Sequence, residues 1–221
     1  MTRRSLVLSG LGVAAVTVAG SAQRWSPPPA LPLADMARVP TPDVAATVAV
    51  RPPVQSALVQ EALAALDRHQ RFIKNRDRIA IVDFSMPSSN PRMAILDIAS
   101  GKSTTYLVAH GSGSDPAHTG VLQRFSNEPN SNASSQGAFV TADYYVGKHG
   151  RSQRIMGLDP TNNNALERAI VVHGAWYADA DMIPAHGKLG RSQGCFAVGD
   201  RELANVFEHL GQGRMIFSAK V

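Results

Sequence analysis

Cysteine and charge are both scarce in this chain. Cysteine occurs once in 221 residues, which excludes an internal disulfide framework and any cysteine-rich metal site. None of the seven histidines forms a His-x-His or His-x-x-x-His pair. The spacing that zinc enzymes use is therefore missing, and neither a metal nor another cofactor is expected. Charged residues make up only 18% of the chain, and the formal charge of +5 is unevenly placed. Residues 1–53 hold five basic side chains (Arg3, Arg4, Arg24, Arg38, Arg51) against Asp35 and Asp43. The rest carries 17 against 15, too near neutral for a nucleic-acid binder that works by neutralising phosphates. Beyond the N-terminal segment no run is long and apolar enough to span a bilayer. What remains is 44% hydrophobic, enough for a packed core.

The first 53 residues read as two segments. Arg3-Arg4 precedes an uncharged stretch from Ser5 to Ala22 that closes on Gly20-Ser21-Ala22. This resembles a twin-arginine export signal with small residues at a cleavage site, so residues 1–22 are read as a leader. An uncleaved anchor is the alternative. The reading places the product in the periplasm or cell envelope. Residues 23–53 follow as a linker, with eight of the 14 prolines between Pro27 and Pro53. Proline fixes φ and removes a donor, which suits an extended arm.

From 54 to 74 the spacing of Leu58, Ala62, Leu66 and Ile73 predicts a helix. Residues 75–221 then change to short β-rich runs between Gly, Pro, Ser and Asn. Strands are predicted at Ile79–Phe84, Met93–Ile98, Thr104–Ala109, Ala138–Val146, Ala169–His173 and Met215–Ser218, with a short helix over Glu202–Leu210. Strands and helices do not alternate, so the fold class is mostly β with a few peripheral helices. Long loops at Gly111–Gln136 and Trp176–Gly194 are expected to wall a site.

The cysteine lies in Gly190-Arg191-Ser192-Gln193-Gly194-Cys195-Phe196. A glycine before it lets the backbone turn and present N–H groups, as an oxyanion hole requires. Upstream, Ile170-Val171-Val172-His173-Gly174 reads as a buried strand ending in histidine, a rigid mount for a base. An imidazole that takes the thiol's proton makes it a nucleophile. Taken singly, a buried cysteine is usually a small hydrophobe and a strand histidine usually structural. Together, a strand-end His-Gly and a glycine-introduced Cys point to a thiol enzyme. Papain-like folds place Cys before His, and caspase-like or sortase-like enzymes separate the two by more than the 22 residues found here.

These residues resemble the YkuD-type L,D-transpeptidase catalytic domain, whose signature is a His, a gap, then Ser/Thr-His-Gly-Cys. His173-Gly174 and Ser192-Gln193-Gly194-Cys195 match it over roughly residues 75–218. Gln193 replaces the usual His, and the interval is about four residues longer. Both departures resemble the divergent YkuD-like 2 branch, as do Gly147-Lys148-His149-Gly150, Asn162–Ala165 and Gly187–Ser192. Phe196 stands where that branch commonly has Pro.

The resemblance implies a YkuD-like β-sandwich or barrel-like domain acting on peptidoglycan stem tetrapeptides. Cys195 would attack the bond between the diamino acid and the terminal D-Ala, with His173 as base. The Gly174 carbonyl would fix the imidazole, and the Gly194 and Cys195 N–H groups would hold the oxyanion. Arg191, Ser192, Lys148 and His149 would line the substrate site. A second stem or a lipoprotein Lys would accept the acyl group, and carbapenem-type inhibitors would acylate the thiol. His186, nine residues before the thiol, is the rival base. The rival functions are a thiol hydrolase with water as acceptor and a non-catalytic wall-binding module.

Overall fold

The computed structural model describes residues 56–221; the leader and the Pro-rich arm read from the sequence lie outside them. Helix α1 (Ser56–Arg68) leads into β1 (Arg78–Asp83), β2 (Met93–Asp97), β3 (Ser103–Tyr106), β4 (Gly137–Gly147), β5 (Gly150–Gly157) and β6 (Val171–Gly174). A short α2 (Met182–His186), β7 (Phe196–Val198), α3 (Leu203–Leu210) and β8 (Met215–Ala219) complete it. The eight strands form one mixed sheet in the order β3-β2-β1-β8-β4-β5-β6-β7. The last strand thus sits in the middle, parallel to β1 and antiparallel to β4.

The sheet curls until its ends meet. Ala109, just past β3, donates its N–H to Ala197 of β7 at 2.8 Å, an isolated antiparallel bridge. The barrel-like expectation is met in this form: one curled sheet with an apolar interior.

The apolar alternation explains both faces. Ala80, Val82, Phe139, Ile155, Val172, Phe196 and Ile216 point inward and pack with Val206, Phe207 and Leu210 of α3. Ile79, Ile81, Ala138, Val140, Met215 and Phe217 point outward beneath Leu58, Ala62, Ala65 and Leu66 of α1. Spacings of four, three and one place those four side chains on a single helical stripe. β1 is covered on both faces, so it reads as a nearly continuous apolar run.

Differences from the sequence reading have local causes. β5 was not predicted, because Gly-Arg-Ser-Gln-Arg-Ile-Met-Gly holds a single β-branched residue. β7 is too short, at three residues, to show a period. The strand expected to run to Ala109 stops as a ladder at Tyr106, and β6 begins at Val171 rather than Ala169. Residues 176–194 are not all loop: they hold a 3-10 turn (Trp176–Ala178) and α2.

Replacing Leu58 by Ala removes the largest fully buried side chain that α1 packs on the outer face. A loss of about 2–5 kcal/mol in urea unfolding is expected, with the reactivity of Cys195 unchanged.

Candidate active site

His173 and Cys195 are brought together by the parallel pairing of β6 and β7. The register sets Val172 against Phe196 and His173 against Ala197. Cys195, one residue before β7, therefore falls on the same face as His173 because side chains alternate. Both line one cleft of about 360 Å³ with Lys148, His149, Arg191 and Ser192. His186 does not line it; it lies exposed at the end of α2.

The His173 ring is 1% exposed. Its Nδ1 lies 2.8 Å from the Gly174 carbonyl, which can only accept, so Nδ1 carries the hydrogen. Nε2 is left with its lone pair free, the state a base requires. Gly174 has no room for a Cβ, which would meet an Asp200 carboxylate oxygen at 2.6 Å. The exposed His149 ring stacks on His173 with centroids 4.3 Å apart and planes 20° from parallel. His149 and Lys148 form the two-residue tip of the β4–β5 hairpin, between the paired Gly147 and Gly150.

The thiol is 8% exposed, and its Sγ lies 3.7 Å from the Ala169 carbonyl. Ser192 locks the turn before it: its Oγ donates to the Cys195 carbonyl at 2.7 Å and accepts the Gly194 N–H at 3.1 Å. This corrects one expectation, since the Gly194 N–H is already engaged and does not face the cleft as a free donor. Gly194 itself is required, with φ at +110° and the Ala133 carbonyl 2.7 Å from where a Cβ would stand. Arg191 lines the cleft and also braces it. One arm of its fork donates to the backbone carbonyls of Asp115 and Pro116, tying the thiol loop to the 115–116 turn.

The sequence pattern of the L,D-transpeptidase catalytic domain matches residues 51–218. The chain belongs to that family. Solved structures to which this transpeptidase-family chain is similar include an LD transpeptidase in complex with imipenem, at 13% identity and a TM-score of 0.39. Others are L,D-transpeptidases from Mycobacterium smegmatis (11%, 0.40) and Mycobacterium tuberculosis (13%, 0.37). Each alignment covers 65% of this chain and 58–59% of the other, so the chain spans about three-fifths of those lengths. No curated protein matches the chain.

In this family member the thiol and the imidazole rest as a neutral pair. Burial pushes the Cys195 thiol up, while the N–H groups of Val171 and Cys195 and the cations of Lys148 and Arg168 pull it partly back. Burial also pulls His173 down, partly offset by its hydrogen bond to Gly174. Arg168 and Tyr177 are among the lining residues that escaped the sequence reading. Arg168 is held by the carbonyls of Ser126 and Ala133 and by Ser135 Oγ, which fixes a cation beside the thiol. Tyr177 reaches the cleft because Gly190 leaves its ring space, and burial pushes its phenol up to about 12, so it stays a donor. Neither residue sits in a recognisable motif.

Behind the site lies a buried polar chain. Arg92 donates to His110 Nδ1 at 2.8 Å, and His110 Nε2–H faces Asp115 at 3.3 Å. Asp115 also accepts the N–H groups of Thr119 and Gly120. The His110 carbonyl accepts the Ser192 N–H at 2.9 Å, and the Ser192 carbonyl accepts that of Ser112 at 2.8 Å. The chain thereby fixes the loop that carries the thiol.

Ala169 ends a helical turn with φ at +53°. Its N–H bonds the Leu166 carbonyl, and that of Ile170 bonds Ala165, the pairing of a Schellman cap that ordinarily has Gly at this position. Ala169→Gly is therefore expected to stabilise the protein by about 1 kcal/mol, read as a rise of roughly 2–4 °C in Tm.

His110 supplies a second prediction. Burial, with Arg92 alongside, holds it down to about 4 from 6.5. The unfolded chain takes this proton first, so stability falls as pH drops from 6.5 to 4 and levels off below. The expected loss is roughly 1–3 kcal/mol, measured by urea unfolding at several pH values. His110→Gln should flatten that slope.

Proposed function

We propose that the protein is a peptidoglycan L,D-transpeptidase with Cys195 as nucleophile and His173 as base. The observation that carries this is the shared cleft. An imidazole with its Nε2 lone pair free and the only thiol of the chain line it together, within a domain of this family. The neutral resting pair suits general-base activation rather than a preformed ion pair.

In the first half-reaction Nε2 of His173 takes the thiol proton as Sγ attacks the carbonyl between the diamino acid and the terminal D-Ala. The Cys195 N–H and the Tyr177 hydroxyl are the donors we assign to the oxyanion, in place of the engaged Gly194 N–H. One such donor is worth roughly 3 kcal/mol in comparable sites. Collapse breaks the C–N bond, and the imidazolium returns its proton to the departing D-Ala amine. A thioester remains on Cys195. In the second half an amine attacks that thioester, gives its proton to His173, and releases the thiol. The acceptor is a second stem peptide or a lipoprotein Lys. Arg168 and Lys148 offer positive charge to the stem's carboxylates. Export through the residues 1–22 leader would bring the site to the periplasm or cell envelope, where this substrate lies.

A structure of a relative in complex with imipenem makes a carbapenem the natural probe. Intact-mass measurement of the full chain with a carbapenem should give one adduct per chain. Cys195→Ala should give none, and His173→Ala should slow it by roughly 10²–10⁴. An unlabelled wild type would favour the wall-binding reading. With stem tetrapeptide as substrate, cross-linked dimers identify a transferase and free tripeptide alone a hydrolase.

A further inference from the structure

The catalytic base assigned above is half of a stacked pair of imidazoles, and the other half has no place in acyl transfer as written. His149 is exposed, sits at a hairpin tip, and lies flat on His173 at 4.3 Å. The tip is well mounted. β4 and β5 pair up to Gly147 and Gly150, and β5 pairs in turn with β6 through Ser152 and His173. The hairpin therefore reaches the base from the strand next to its own, and its position is fixed by the same ladder.

Two stacked imidazoles 4.3 Å apart do not both become imidazolium readily, and the first added proton goes to the better-solvated ring. His149 is exposed and His173 is buried, so that ring is His149. Once charged, it opposes protonation of the ring beneath it. We propose that His149 is a positioning residue that clamps the plane of His173 and takes the first proton in its place, keeping the base neutral under mildly acidic conditions. This rests on the reading of His173 as the base.

The other groups around the pair do not replace this role. Lys148, on the same tip, acts on both rings in the same sense. Asp200, beyond β7, acts on His173 in the opposite sense. Arg168, Arg191, Cys195, Tyr145 and Tyr177 face the pair from the rest of the cleft. Among these residues only His149 stacks on the base.

The test uses two variants of the full chain. His149→Phe keeps a flat ring over the base but removes the proton site; His149→Ala removes both. The first readout is a histidine-resolved NMR titration, which does not depend on acylation. In the wild type His149 should titrate at higher pH than His173. In His149→Phe the His173 midpoint should rise by about half to one pH unit, from the loss of one charge at this distance. The second readout is the rate of carbapenem acylation against pH. The acid limb of His149→Phe should move up by the same amount. His149→Ala should lose about tenfold on the plateau as the ring is freed. An unchanged His173 midpoint in His149→Phe, or a wild-type plateau in His149→Ala, overturns the proposal. Absence of acylation in the wild type instead overturns the function assigned above, while the titration still decides the pairing of the two rings.

Discussion

Seven residues of parallel strand, four in β6 and three in β7, position the proposed nucleophile and base of this domain. His173 is a strand residue, and Cys195 is the residue just before a strand. Their common face follows from the ladder and not from any contact between the two side chains. A parallel ladder this short needs support from both ends. β5 supplies it on one side through Ser152, Gln153 and Arg154. On the other side the Ala109–Ala197 bridge and the exchange between Ser192 and residues 110–112 close the sheet against the thiol loop.

The electrostatic design follows from the same closure. Burial raises the thiol and lowers the imidazole, which favours the proton on sulfur. Arg168 and Lys148 limit how far the thiol is raised. Behind the loop, the Arg92–His110–Asp115 chain satisfies each of its members through defined donors and acceptors, as a buried network must to be stabilising. The site therefore combines a soft front, exposed at the Lys148-His149 tip, with a rigid polar back.

Much of this was legible in the residues. The apolar runs of β1, β2, β4 and β8 stand out because at least one face of each is buried. The α1 stripe is equally clear from its spacing. His173 and Cys195 could be singled out because each ends or begins an apolar run beside a glycine. β5 was hidden by its polar composition, although Gly147-Lys148-His149-Gly150 is itself a hairpin signal that implies a returning strand. Arg168 and Tyr177 were not legible at all. Their roles depend on loops 126–135 and 187–190 folding over them, which no local pattern encodes. The engaged N–H of Gly194 is likewise a product of the Ser192 rotamer. The Schellman cap at Ala169 was invisible because it lacks the glycine that would announce it.

The place of β8 sets the order in which this domain can be made. Met215–Ala219 lies between β1 and β4, so during synthesis the strands on either side have no common partner. A β1–β3 meander and a β4–β7 segment leave the ribosome before the strand that lies between β1 and β4. The joining contacts to β1 span 136 residues and those to β4 span 75–81, long loops to close and slow ones. Until then the outward apolar residues of both halves have only each other and α1 to rest on, and a thiol beside an open edge is at its most vulnerable. The central ladder of the sheet is thus completed by the strand made last among those described.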